Sequence, residues 1–519
     1  MKNQHLPFKF LFPFNRMLKS KFSFVLFLLV TVNHVQAQFT SVVKLNSVPS
    51  INAATGEKPQ AKVWKYAGKY WAVFANDNGA YLWRLTNNTW NSVLKLTAKA
   101  NCRADYRVVG SVTHILLYEG SSSEFVSVEY VSSSNSYQLW SKRSSIVSLT
   151  LDAGVETATI DIDGKQRMWL ADAGTSQINV RYSDPPYSTW NGPITIYNGV
   201  MDDDICGNIY LKAQGKMAVL WSNQNTKRFG FKTHSDGEIP TAWSSDEVPA
   251  SQSALDIGAG MADDHINLAL SQNGTLYCAV KTGYDTKGYP KIALLVRRPA
   301  GTWDDLYNVS ETGTRPIAIL NELKNKIRIV YCSSENSGDI LYRESSLSPI
   351  SFGPPFVLIK GGLYNNPTSQ HQNLTSQMVI LASGSSTTTG VLVKDKSSFT
   401  SIRSLSLAGA TSTPSAATTT GSIASVPLKG IVPKDQFILY PNPAISGAVV
   451  RFVLAQNSTY VISLYDIKGA QLSIIKQGSA RSGELHIIQI NRTELAEGTY
   501  LVKLQTNTLT KTLKLIVAR

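Results

Sequence analysis

Cysteine is scarce, with 4 residues in 519, and no two of them stand in the short Cys-x-x-Cys spacing of a zinc or redox site. Charged residues make up only 17% of the chain, too few for a coiled coil or a charge-rich disordered protein. No long stretch of helical hydrophobic period occurs between residues 60 and 400. No Lys/Arg block or aromatic-interleaved basic stripe stands out there either, which argues against a nucleic-acid partner. The formal charge of +14 is concentrated at the ends. Lys2, Lys9, Arg16, Lys19 and Lys21 precede residue 38 with no acid among them, and removing them leaves 45 basic against 36 acidic residues. From residue 437 onward nine basic residues face four acidic ones, so the long middle of the chain carries only about +4.

What is abundant is Gly, Pro, Ser and Thr between short apolar runs. At roughly 100–200 residues per domain the length predicts more than one domain. Lys19-Ser-Lys21, the apolar run Phe22–Val32 and Val35-Gln-Ala37 read as a secretory signal peptide over residues 1–37, with Met17 as an alternative start. About 11 apolar residues are too few to span a bilayer, where roughly 20 are needed. No comparable run follows, so no permanent anchor is expected in the mature chain. Cys102, Cys206, Cys278 and Cys332 all follow the signal and would meet an oxidising compartment. Their pairing is open at this level, although Cys278 and Cys332 sit in apolar β-like runs that suit buried free thiols.

Residues 38–405 read as strands throughout, and the strands recur. A hairpin with an apolar strand, a tight turn and a more hydrophobic second strand repeats around Gly68, Gly110, Gly164, Gly215, Gly274, Asn325 and, weakly, Ser376. Six intervals cover 308 residues, a mean of about 51, the size of a four-stranded propeller blade. The expected fold is all-β: a seven-bladed β-propeller followed by an immunoglobulin-like β-sandwich. The segment 39–45 has no hairpin partner nearby and is expected to close the last blade. Ser183-Asp-Pro-Pro-Tyr-Ser-Thr-Trp190 resembles a degenerate Asp box of sialidase-like propellers, with echoes ending at Trp90, Trp243 and Trp303. The resemblance places these turns on the face opposite the ligand.

Residues 406–436, rich in Ser, Thr, Ala and Gly, read as a linker. Beyond it, residues 437–519 carry four motifs in order: Leu439-Tyr440-Pro441-Asn442-Pro443, then Val461 through Tyr465, Asp466 and Gly469, then Gly498-Thr-Tyr500, then Lys511 through Val517. On these the segment resembles the type A C-terminal sorting domain of the type IX (Por) secretion system. The resemblance implies the type IX secretion machinery as partner and a secreted or cell-surface location reached through the periplasm. The same residues read independently as an antiparallel sandwich, with prolines at a strand edge where no ladder donor is needed.

In a propeller the loops leading into each first strand, with those joining second and third strands, ring the channel mouth. These carry Arg103, Asp105, Arg107, Glu156, Asp203, Asp204, Arg315 and His371, and Arg228, Tyr284 and Tyr289, a rim of both signs with aromatics that suits a glycan. Asp263, Asp264 and His265 fall in the same set of loops. A sialidase would need an arginine cluster and a Tyr/Glu pair; Arg103, Arg107 and Arg315 could be asked to supply the arginines, but no such pair can be assigned. Asp202-Asp203-Asp204 lacks the ligand alternation of a calcium loop, so no metal or cofactor is expected. Three functions compete: a glycan-binding module, a carbohydrate-active hydrolase or lyase, and a surface protein-assembly module.

Overall fold

The computed structural model describes residues 39–395 and, further on, 436–440, 442, 444, 447–482, 484–491 and 495–518. The signal peptide, the linker, Pro441 and Pro443 lie outside these residues. The chain divides into two compact units, Met1–Arg403 and Ser404–Arg519. Among the described residues there is no α-helix, only strands, turns and two short 3-10 turns, and no helix is long and apolar enough to cross a membrane.

The first unit is a succession of antiparallel sheets. Five of them span residues 63–97, 103–150, 158–198, 206–235 and 266–310. The sixth has seven strands, because Phe356–Thr368 pairs at its start with Gly338–Ser346 and at its end with Gln377–Ser383. The segment expected to close the fold lies in the strand Ser41–Pro49, which runs antiparallel to Thr387–Lys394. Phe39 is anchored there: it is 6% exposed, 4.9 Å from the Tyr342 ring and 4.1 Å from the Arg328 guanidinium. Arg328 in turn forms a bidentate pair with Asp395, at 2.8 and 2.9 Å.

Apolar faces pack between consecutive sheets. Trp64, Trp71 and Leu82 of the first meet Tyr106, Ile115 and Val128 of the second, and each later pair has its own cluster. A further cluster fills the sixth sheet, and the last joins Val379 and Leu381 to Val63, Phe74 and Trp90 of the first. The first strands of successive sheets, the inner strands below, are neighbours from the second sheet to the sixth. Their side chains bridge them: Asp105 accepts Ile160 N–H at 3.0 Å, Thr159 accepts Asn208 N–H at 3.0 Å, Asp161 accepts Tyr210 N–H at 2.8 Å, and Asn267 accepts Ala318 N–H at 3.0 Å. The partners are 55, 49, 49 and 51 residues apart, so the repeat period is also the spacing of these bonds.

The repeated turns use left-handed backbone where the sequence places Gly or Asn: φ is 73° at Gly68, 60° at Gly110, 62° at Gly215, 87° at Gly274 and 53° at Asn325. At the third hairpin the left-handed residue is Gln166 instead of Gly164. The weak seventh copy has no tight turn, because residues 369–376 form a longer connection. Trp190, Trp243 and Trp303 pack back onto the preceding sheet, 5.3 Å from Phe125, 5.7 Å from Trp169 and 5.3 Å from Phe231 respectively. All four cysteines are buried and free. Burial pushes the Cys102 thiol up to about 12 and raises those of Cys206 and Cys278 well above the ordinary thiol value.

The second unit has a three-stranded sheet containing Gln436–Tyr440, Gly447–Val453 and Leu485–Asn491, and a four-stranded sheet of Gln471–Ala480, Ser458–Asp466, Gly498–Thr506 and Thr510–Val517. Val450, Phe452, Ile462, Leu464, Val502 and Leu515 form its core. The motif residues build turns and ties. Asn442 donates to Lys514 C=O at 2.6 Å and accepts Ile516 N–H at 2.8 Å. Asp466 accepts the Lys468 and Ala470 N–H groups across the turn that Gly469 makes at φ 87°. Tyr465 and Tyr500 hydrogen-bond Gln471 and the Ala496 carbonyl.

Candidate functional site

The region leading into the first sheet, residues 50–62, lies as a strap across the inner strands. Its sequence, Ser-Ile-Asn-Ala-Ala-Thr-Gly-Glu-Lys-Pro-Gln-Ala-Lys, has no strand pattern, and its bonds reach far in sequence. Thr55 N–H and hydroxyl bond Ser383 Oγ and Asn366 C=O, both at 2.7 Å. Arg103 holds Ala53 C=O at 3.2 Å and Asn52 C=O at 3.1 Å. Gln60 donates to Ala158 C=O at 2.7 Å, and Ala61 N–H donates to Asp105 Oδ1 at 3.1 Å. Beneath the strap, a cavity of about 20 Å³, room for one water, is lined by Gln60, Asn267, Gln370 and His371 among others.

On the outer side of the strap, Lys58 gathers the lead-in loops of three sheets. Its ammonium is 3.5 Å from Glu156 and directly bonded to Asp264, and Glu156, Asp203 and Asp264 offer oxygens within 4.8 Å of one another. His265 continues the chain, with Nδ1 at 3.0 Å from Asp263 and 2.5 Å from Asp264, and Nε2 at 3.4 Å from Thr314 Oγ1. Lys281 then links Asp263 at 3.3 Å to Glu335 at 3.1 Å, and Arg315 donates to Glu335 C=O at 2.8 Å. Charges of both signs are thus spent on each other. Burial works against the charge of Lys58, but Asp264 keeps its pKa above the ordinary value. Burial raises the Glu156 carboxyl, with Asp203 and Asp264 adding to the rise against Lys58, whereas His265 and Lys58 hold Asp264 well below the carboxylate range. The three oxygens of Glu156, Asp203 and Asp264 are hard donors that could hold a cation, yet the Lys58 ammonium already sits among them.

The structure separates the residues expected at the rim. Glu156, Asp203 and Arg315 belong to this mouth. Arg103 is spent on the strap. Asp105 and Arg107 are not loop residues: both lie in the inner strand Arg103–Val109, where Asp105 is 0% exposed and Arg107 pairs with Asp161 at 2.7 Å. The alternation of Arg103, Asp105 and Arg107 points all three inward along a strand. Burial alone would raise Asp105, but Arg107, His371 and two backbone N–H groups bring its pKa down to about 2. His371 lies past the innermost strand of the last hairpin, away from the mouth, with Nε2 2.9 Å from Asp105. Of the three arginines considered for a sialidase site, Arg103 and Arg107 are engaged elsewhere and Arg315 stays at the mouth. Asp204 is also 0% exposed and caps its own turn through Met201 and Gln224 N–H. Arg228, bonded to Asp256 at 3.1 Å, and Tyr284, whose oxygen accepts Leu255 N–H and whose ring is 6.1 Å from that of Tyr289, form a separate patch; Tyr284 is buried and Tyr289 is exposed.

Sequence reasoning missed Lys58, Lys62 and Lys281, the cations that organise the acids. Lys62 is fully buried and donates to Gln60 Oε1 at 2.8 Å; burial brings its pKa down to about 7, against the pull of Asp105 and Glu57. The only signal for them was position, two lysines in a lead-in segment and one at the mouth end of a second strand.

Residues 438–518 match the family described as secretion system C-terminal sorting domain. The domain marks a type IX secreted protein, exported to the cell surface or extracellular space, and the type IX machinery handles it. No curated protein matches the chain. Among solved structures, the polysaccharide lyase Uly1 is 10% identical, with 69% of this chain and 99% of that one covered and a TM-score of 0.43. An ulvan lyase from a new polysaccharide lyase family is 12% identical, covering 67% and 96%, with a TM-score of 0.45. The Penicillium chrysogenum α-L-arabinanase is 10% identical, covering 59% and 99%, with a TM-score of 0.38.

Proposed function

We propose that this exported chain is a glycan-binding protein, in which a seven-bladed propeller over residues 38–405 presents its mouth to polysaccharide. A linker over 406–436 and an immunoglobulin-like sorting domain over 437–519 would complete it. Six apolar clusters between sheets, the last returning to the first, and a seventh within the seven-stranded sheet support seven blades, with Phe356–Thr368 shared between the final two. The glycan reading rests on one observation: the mouth is floored by the strap and rimmed by exposed or half-exposed Asp203, Glu335, Glu156 and Arg315. A ligand must lie across such a surface, and sugar hydroxyls use donors and acceptors of both kinds. Replacing Asp203 and Glu335 by Ala together is expected to weaken binding of the polysaccharide selected on a glycan array by at least tenfold. Unchanged binding would remove the mouth as the site.

A hydrolase reading has one point in its favour: Glu156 is pushed up and Asp264 down, the division of labour between acid and ionised partner that glycosidases use. The Lys58 ammonium between them fills the space a glycosidic oxygen would need, so binding is preferred. Reducing-end release from the bound polysaccharide, abolished in Glu156→Gln, would reverse that preference.

Deleting residues 437–519 is expected to leave the first unit folded and stop its export, read by fractionating cells. Normal appearance of the truncated chain in the medium would refute the assignment of the sorting role to this segment.

A further inference from the structure

A cleft of about 440 Å³ opens between the second and third sheets, at the end of the inner strands away from the mouth. Trp140, Tyr187, Pro185 and Pro186 form its wall, Lys142 stands exposed at its lip, and His114 lies on its floor. Its size is that of a small-ligand site, and no acid is among its lining residues.

Three features mark this cleft. Arg143 is 6% exposed and stacks 5.2 Å from Phe125, yet it has no carboxylate partner among the described residues. It donates only to neutral oxygens: Pro186 C=O at 3.0 Å, Ser145 C=O at 2.5 Å and Ser127 Oγ at 2.5 Å. Burial brings its pKa down to about 10, so it stays charged at neutral pH. Buried charges in proteins are normally paired, so an unpaired one marks a place where an anion is missing.

His114 is 2% exposed, with Nδ1 2.8 Å from the same Ser127 Oγ. Ser127 is 0% exposed and its hydroxyl meets no acceptor other than Nδ1 among the described residues, so its proton goes to Nδ1 and the ring carries its own proton on Nε2. No partner meets that Nε2–H among the described residues. Burial, then Arg143, bring the ring pKa down to about 3, so it is a neutral donor at physiological pH. Finally, two bulky lining residues hold left-handed backbone, Tyr187 at φ 63° and Gln166 at φ 69°, tied by the Tyr187 hydroxyl donating to Gln166 C=O at 2.9 Å. Such conformations persist where the surroundings impose them.

We propose that this cleft is a carbohydrate site selective for an acidic sugar residue. The sugar's carboxylate or sulfate meets Lys142 and the His114 Nε2–H in the positive field of Arg143, and its apolar ring face lies against Trp140, Tyr187 and Pro186. The site is separate from the mouth and stands whether or not the mouth binds glycan.

The test uses the full mature chain with three probes: trigalacturonate, a galactose-4-sulfate oligosaccharide, and neutral cellotriose. Titration calorimetry is paired with the ¹⁵N shifts of the His114 ring. At least one acidic probe is expected to bind, to move the Nε2 resonance, and to bind at least tenfold more weakly to Lys142→Glu, whose exposed position leaves the melting temperature unchanged. Which acidic probe responds identifies carboxylate or sulfate as the anion. Equal binding of cellotriose, no His114 shift with either acidic probe, or full affinity in Lys142→Glu would each overturn the proposal. The Asp203/Glu335 double variant serves as control and retains this binding.

Discussion

The wall of the central space and its mouth use the same residue types for opposite purposes. In the wall, Asp105 is buried and Arg107, Asp161 and His371 are partly buried, and each accepts or donates to a neighbouring sheet. At the mouth, Asp203, Glu335 and Arg315 keep part of their surface in water while Gln224 bonds Asp203, Lys281 pairs with Glu335 and Arg315 holds the Glu335 carbonyl. A carboxylate two or three residues inside a strand, Asp105 or Asp161, is a joint between sheets, and one three residues before a strand, Asp203 or Glu335, is a contact point for something outside. Residue type alone does not distinguish them; register does.

The sharpest way to break this comparison is to remove a joint. Asp105→Ala leaves two buried backbone N–H groups and His371 Nε2 without their acceptor while Arg107 keeps Asp161, and each buried donor so orphaned typically costs about 1–3 kcal/mol. Urea unfolding should show a loss of that order. The wild type should also show an acid signature. A carboxyl whose pKa falls to about 2 in the folded state contributes stability that is complete above its unfolded value near 4 and disappears as pH falls from there toward 2. Asp105→Ala should lack this part of the acid transition. A variant as stable as the parent would mean that Asp105 is no joint.

Lys62 sharpens the comparison from the other side, because it is a buried charge with little to hold it. Its folded pKa, brought down to about 7 from a model-compound value of 10.5, means the unfolded chain binds more protons between those values, so stability should rise as pH climbs from 7 toward 10. Lys62→Met keeps the stem and removes the ammonium. It is expected to melt at or above the wild-type temperature at pH 7 and to show a flatter rise above it. A variant that melts lower at pH 7 would show the ammonium to be a net asset.

The smallest effect is expected at the mouth. Asp203→Ala and Glu335→Ala should each shift unfolding free energy by about 0.5 kcal/mol or less, as exposed polar substitutions do, even though together they are expected to remove glycan binding. A large loss of stability from either would erase the difference between mouth and wall.

Much of the scaffold was legible because the hairpin is a local object: turn residues, two apolar runs and a period near 51 are all visible within one repeat. The position of residues 39–45 was legible for the same reason, as a strand with no local partner. The strap was not, since Thr55 is held by residues 311 and 328 positions away and nothing in its composition announces them. The misplacement of Asp105, Arg107 and His371 has a similar cause: strand starts are uncertain by a few residues, and two residues separate a loop from an inner strand. The cleft beside Trp140 was hidden in turns that the Asp-box resemblance had assigned to packing alone.

The pairing of Ser41–Pro49 with Thr387–Lys394 also sets an order of events. The strand Ser41–Pro49 can find its place only after some 340 further residues have followed, because its partner is the last described strand of the unit. Closing so long a loop is slow compared with forming any single hairpin. Until it happens, Thr387–Lys394 has an uncovered edge and Phe39 lacks its aromatic seat. The chain should therefore spend its early life as an open arc of preformed sheets, and that arc, rather than any one hairpin, is the species that chaperones outside the cytoplasm would meet.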